Sequence, residues 1–88
     1  MFHMNRSFKS CLTEQDVEKE VENISMVEVR LACKNTLIIE ETEPDDLLRG
    51  FYLKAALNKF RGEKGSFEGI LFNVIAQWFR EVVDKPVE

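Results

Sequence analysis

Eighty-eight residues, 44% of them hydrophobic, suffice for one domain with a small core and leave no room for a second. A net charge of −4 and a pI near 5.0 favour solubility and exclude a general attraction to nucleic acid or anionic lipid. Cys11 and Cys33 lie 22 residues apart without companion histidines at metal spacing. They therefore indicate neither a zinc site nor a disulfide framework, and reduced thiols in a cytoplasmic setting are expected.

Residues 1–12 mix Phe2, Phe8 and Leu12 with Arg6 and Lys9, a pattern that fits either a frayed arm or a segment docked on the core. No long apolar segment adjoins Met1, so neither a signal peptide nor a membrane span is expected, and localisation is expected to be cytoplasmic. A single helical domain is expected over 13–85. Thr13-Glu14-Gln15-Asp16 has the chemistry of a helix start, a hydroxyl for a free backbone amide followed by acids at the positive pole. The helix predicted over 13–23 buries only Val17, Val21 and Ile24. Its remainder is crowded by Glu14, Asp16, Glu18, Glu20 and Glu22 against Lys19 alone. Such a face is either solvated or a docking site for a basic partner.

Ser25 to Glu41 supports two readings. Val27, Val29, Leu31 and Cys33 alternate with charged residues like a half-buried strand, and Lys34-Asn35 is able to turn a hairpin into Thr36-Leu37-Ile38-Ile39. Met26, Val29, Cys33 and Leu37 also fit helical spacing, and an isolated two-stranded hairpin is marginal unless a face is covered. Periodicity alone leans slightly to strand, whereas the neighbouring helices argue for helix; the fold expected is an all-α bundle of about four helices, with an α+β alternative carrying a hairpin at 26–40.

Thr42-Glu43-Pro44-Asp45 reads as the next helix start, with Thr42 as cap and Pro44 in the first turn. Leu47, Leu48, Phe51, Tyr52, Ala55 and Ala56 give the helix over 43–60 its apolar face. Gly50 inside it costs roughly 1 kcal/mol relative to alanine, which calls for close packing or a contact surface. Gly62 ends this helix in a left-handed conformation, Gly65 loosens the hinge and Ser66 caps a helix over 66–83. In that last helix Phe67, Ile70, Leu71, Val74, Ile75, Trp78, Phe79 and Val82 recur at three- and four-residue steps. The predicted core comprises Leu31, Leu47, Phe51, Leu71, Val74, Ile75 and Trp78.

Catalytic chemistry finds little footing. His3 is the lone histidine, Ser25 and Ser66 have no base near them in sequence, and Gly62, Gly65 and Gly69 lack the ending of a phosphate-binding loop. Asp45 and Asp46 suit a helix dipole better than acid–base work. An enzyme, a cofactor and a metal are not expected.

The run Asp45-Asp46-Leu47-Leu48-Arg49-Gly50-Phe51-Tyr52 through Lys59-Phe60, then Glu63-Lys64-Gly65-Ser66-Phe67, resembles region 2 of bacterial sigma factors in order and spacing. That family carries an acidic-Asp-Leu-apolar-Gln-Glu/Gly run, an aromatic-rich helix ending in Lys-Phe, a loop, and a Phe opening a helix of the form Leu-aromatic-x-x-Ile. Leu71-Phe72-Asn73-Val74-Ile75 takes that last place. Over about residues 24–83 the resemblance implies a compact helical bundle that docks on the clamp coiled coil of RNA polymerase, and it implies a helix at 24–39. The polymerase-facing positions it implies are Asp46, Leu47, Arg49 and Gly50, with Arg49 standing where the family has glutamine.

On the promoter-reading helix the resemblance implies DNA contacts from Phe72, Gln77 and Arg80. From Ser66 onward, however, two basic residues (Arg80, Lys85) face four acids (Glu68, Glu81, Asp84, Glu88). Binding to DNA by the domain alone is therefore expected to be weak and salt-sensitive. The expected function is a polymerase-binding, sigma-like domain in transcription initiation or its regulation, with a partner supplying other DNA contacts. The alternative is a helical interaction module, unrelated to transcription, that pairs with another protein or with a copy of itself.

Overall fold

A computed structural model describes residues 11–36 and 43–83. Four helices account for most of them: α1 (Glu14–Glu22), α2 (Met26–Lys34), α3 (Asp45–Phe60) and α4 (Phe67–Val83). No strand occurs among the described residues, so the all-α reading stands and the hairpin does not. The alternation at 27–33 is real, but Val29, Ala32 and Cys33 are the positions that meet the core, at three- and four-residue spacing. Val27 and Leu31 consequently lie on the outer face. Leu31 is 38% exposed, which removes it from the predicted core.

Local chemistry sets the boundaries. At α1 the Thr13 hydroxyl accepts from the Asp16 amide at 3.2 Å, while Asp16 Oδ2 accepts from the amides of Thr13 and Leu12 at 3.1 and 3.0 Å, a reciprocal capping box. Ser25 caps α2 through the Glu28 amide, and Ser66 accepts from the Gly69 amide at the start of α4. Helix α2 stops at Lys34, with Asn35 as its cap, rather than running on to residue 39. The expected cap Thr42, the segment 37–41 and residues 1–10 and 84–85 fall outside the described residues. Pro44, expected in the first turn of α3, instead occupies the N-cap position without a side-chain cap bond, and Asp45 and Asp46 open the helix. Gly62 and Gly65 take φ values of 103° and 112°, the left-handed region that ends α3 and reverses the chain into α4.

Helix α3 is the axle, in contact with each of the other three helices. Its Leu48, Phe51, Tyr52, Ala55 and Ala56 are buried, and one core joins them to Val17 and Val21 of α1, Val29 and Cys33 of α2, and Phe67, Ile70, Leu71, Val74 and Ile75 of α4. Adjacent rings of α3 reach the two ends of α4: Tyr52 tilts onto Phe67 with centroids 4.8 Å apart, and Phe51 onto Trp78 at 5.1 Å. Leu47 and Trp78, predicted as core, are half-buried at its margin. Cys33 is a buried filler whose thiol points at the Leu48 carbonyl at 3.8 Å, and burial pushes its pKa up to about 11. Phe79 and Val82 depart from the predicted stripe and are exposed. Phe79 stands seven positions from the exposed Phe72, hence on the same outer face of α4, because seven residues return a helix almost to its starting angle.

Candidate docking surface

The flank of α3 turned away from α4 carries the positions singled out by sequence. Asp46, Gly50 and Leu53 follow each other at four- and three-residue steps and so share one ridge, with Arg49 beside them. Helix α1 lies alongside. Its N-terminal residue Glu14 receives two hydrogen bonds from Arg61 just past the C-terminus of α3, at 2.8 and 3.1 Å, whereas its C-terminal end lies beside Arg49 near the start of α3. The two helices therefore run antiparallel, and a shallow groove of about 220 Å³ opens between them. Glu18, Val21 and Glu22 of α1 line one side; Asp46, Arg49, Gly50 and Leu53 of α3 line the other.

Three of the four predicted polymerase-facing residues thus converge in one groove. Leu47 does not join them, because one residue on from Asp46 its side chain turns toward the core margin. Arg49 is placed differently from its expected exposed position. It is half-buried, and Nη1 donates to the carbonyls of Val21 at 2.6 Å, Ile24 at 2.9 Å and Glu22 at 3.5 Å. The Ile24 amide also donates to the Val21 carbonyl at 3.2 Å, so the guanidinium adds a donor at the end of α1 and the turn into α2, a capping group supplied from another helix. This structural use of Arg49 is one that the sequence pattern does not anticipate.

The carboxylates of α1 and of the start of α3 are unequally engaged. Asp45, next to Asp46, pairs with Arg30, which also donates to the Glu43 carbonyl at 2.8 Å and so ties α2 to the start of α3. Glu14 is held below the ordinary glutamate pKa by its hydrogen bonds from Arg61. Glu18, Glu22 and Asp46 are exposed and make no ion pair with another described residue. The groove therefore presents three uncompensated carboxylates, while its one cation is spent on backbone carbonyls. Gly50 is exposed in mid-helix, and a Cβ added there would meet nothing within 4 Å. Internal packing does not account for this glycine.

The second predicted set divides. Gln77 and Arg80 border a shallow depression on α4 together with Asn73 and Glu81. Phe72, 45% exposed, lies on a different side of the helix, in line with Phe79 at 43%. No described group of histidine, cysteine and carboxylate side chains has the arrangement to hold a metal ion, and no helix among the described residues is long and apolar enough to cross a membrane. The fold and these surfaces define a small all-α domain with a groove of mixed apolar and acidic lining. No protein-family model, curated protein or solved structure matches the chain.

Proposed function

We propose that this domain acts by docking on RNA polymerase in the manner of sigma factor region 2, in transcription initiation or its regulation, with a partner supplying further DNA contacts. The observation that carries the reading is the convergence of Asp46, Arg49 and Gly50 in one accessible groove on α3. The resemblance to sigma region 2 implies these positions, and they border a groove open to solvent. Arg49 belongs to the wall of this surface and Asp46 to its contact edge. Contact with DNA is secondary, since Arg80 is the lone base among the described residues of α4, and counterion release scales with the phosphates that cations neutralise.

The test is capture of the isolated clamp coiled coil by the purified chain, read against Asp46→Lys. Asp46 is exposed in the first turn of α3, so its reversal forfeits only a helix-dipole interaction of about 0.3–1 kcal/mol within the domain. Loss of binding by more than about tenfold is expected, the scale on which an interfacial charge of the wrong sign acts. Absence of any binding by the parent chain rejects the reading.

A second reading draws on the exposed Phe72, Phe79 and Val82 of α4, an outer apolar stretch suited to a helical interaction module or homodimer. Sedimentation of the chain as a stable dimer that Phe72→Glu and Phe79→Glu dissolve would favour it over polymerase docking.

A further inference from the structure

Helix α1 lies outside the stretch that resembles sigma region 2, yet it forms half of the groove. Glu18 and Glu22 stand four residues apart and therefore one above the other on the ridge that faces α3. Because α1 runs antiparallel to α3, Glu22 lies toward the Asp46 end of the groove and Glu18 toward the Leu53 end. Carboxylates thus border both sides of a floor that includes Gly50 and Leu53. Two antiparallel helices with a shallow trough between them form the natural bed for a third helix, whose ridge packs into the trough. The open Cα of Gly50 allows that third backbone to approach closely, which gives a mid-helix glycine with no internal contact a use.

We infer that α1 supplies the second wall of the docking surface, and that the occupant is a helix of the clamp coiled coil presenting an apolar side chain to Gly50 and Leu53 with lysine or arginine on its flanks. The inference rests on the polymerase-docking function proposed above. It adds residues that the resemblance does not reach, and it fixes the chemistry of the partner. A basic helix is selected over an acidic one because Glu18, Glu22 and Asp46 have no described ion-pair partner, and Arg49 already serves three carbonyls.

The experiment measures binding of a clamp coiled-coil fragment to the full chain and to a variant carrying Glu18→Lys and Glu22→Lys. Lysine is a good helix former, and at position 22 it suits the negative end of the α1 dipole, so the variant is expected to keep the parent's helicity and thermal midpoint. Its affinity should fall by about tenfold or more, with the loss shrinking as salt is raised. The control Glu68→Lys, exposed at the start of α4, should bind as the parent does. Should the double reversal disturb folding, Glu18→Gln with Glu22→Gln at low salt replaces it, and a loss of about threefold is then expected. Parent binding with unchanged binding by the folded variant removes α1 from the surface and leaves the docking function standing. Failure of the parent itself to bind the clamp fragment overturns the docking function and this inference with it.

Discussion

Helices α1 and α4 both pack on α3, but by opposite means. Helix α4, 17 residues long, contributes Phe67, Ile70, Leu71, Val74 and Ile75 to the core from its N-terminal half. Helix α1 has nine residues, buries only Val17 and Val21 within them, and is fastened at its ends by arginines from elsewhere: Arg61 at Glu14, and Arg49 at the carbonyls of Val21, Glu22 and Ile24. One helix is held by area and the other by polar latches. Attachment by area resists salt and acid, whereas attachment by latches answers to charge, which makes α1 the weaker of the two. It is also the helix that borders the groove, so the less firmly held of the two adjoins the proposed contact surface.

The sharpest way to break this contrast is in the α4 interface. Leu71 is fully buried, and Leu71→Ala removes its contacts and leaves a cavity, at an expected cost of about 2–5 kcal/mol, read as a fall in the denaturation midpoint of the whole domain. An unchanged midpoint would show that α4 is not held by burial. The next largest effect belongs to the other region. Arg49→Met keeps much of the stem but removes the side-chain donor shared by the Val21, Glu22 and Ile24 carbonyls, at an expected cost of about 1–3 kcal/mol. Hydrogen exchange should show α1 amides opening sooner while α4 amides keep their protection. Equal acceleration in both helices would mean that Arg49 supports the domain as a whole rather than α1.

How much of this was legible in the sequence follows the same division. The α3 and α4 cores are written as apolar periodicity, and Phe51, Leu71, Val74 and Ile75 are buried as their spacing predicts. Phe79 and Val82 were swept into the same stripe because eight apolar positions on one helix span a wider arc than one neighbour covers. In α2, Val27 and Leu31 mask the helical period by completing an alternation, and only packing on α3 separates outer from inner positions. The Arg49 latch joins residues 25 to 28 positions apart in the chain, a distance at which local pattern is silent. On the α3 side of the groove, Asp46, Arg49 and Gly50 enter only through the resemblance to sigma region 2, and no local pattern shows that they border a groove. Its α1 wall carried a signal in its one-sided acidity, but that signal is shared by every solvated acidic helix.

Acid offers a gentler way to sharpen the comparison. Asp16 is held below the ordinary aspartate pKa by the amides of Leu12 and Thr13, and Glu14 below the glutamate value by Arg61. A carboxyl lowered on folding binds its proton less readily in the native state, so its stabilising contribution is complete above the unfolded pKa and disappears as pH falls through the lower native value. Loss of α1 should therefore lead acid unfolding, below the ordinary carboxylate range, with α4 still protected. In Asp16→Asn that dependence should flatten, as followed by circular dichroism against pH. A variant with the parent's acid profile would remove the capping box from the account of α1.

The smallest effect separates stability from binding. Gly50 has helical backbone and open space where a Cβ would stand, so Gly50→Ala meets no neighbour and restricts the unfolded chain. It should stabilise the domain by about 0.5–1 kcal/mol, seen as a small rise in the denaturation midpoint. The same methyl projects into the groove, where the proposed docking would bring a partner helix, and should then weaken capture of the clamp coiled coil. Stability and binding then move in opposite directions at one position, an outcome that a purely structural glycine does not produce. Should Gly50→Ala raise the midpoint and leave capture unchanged, the partner does not come close to α3 at this point, and the contact must be sought nearer to Asp46.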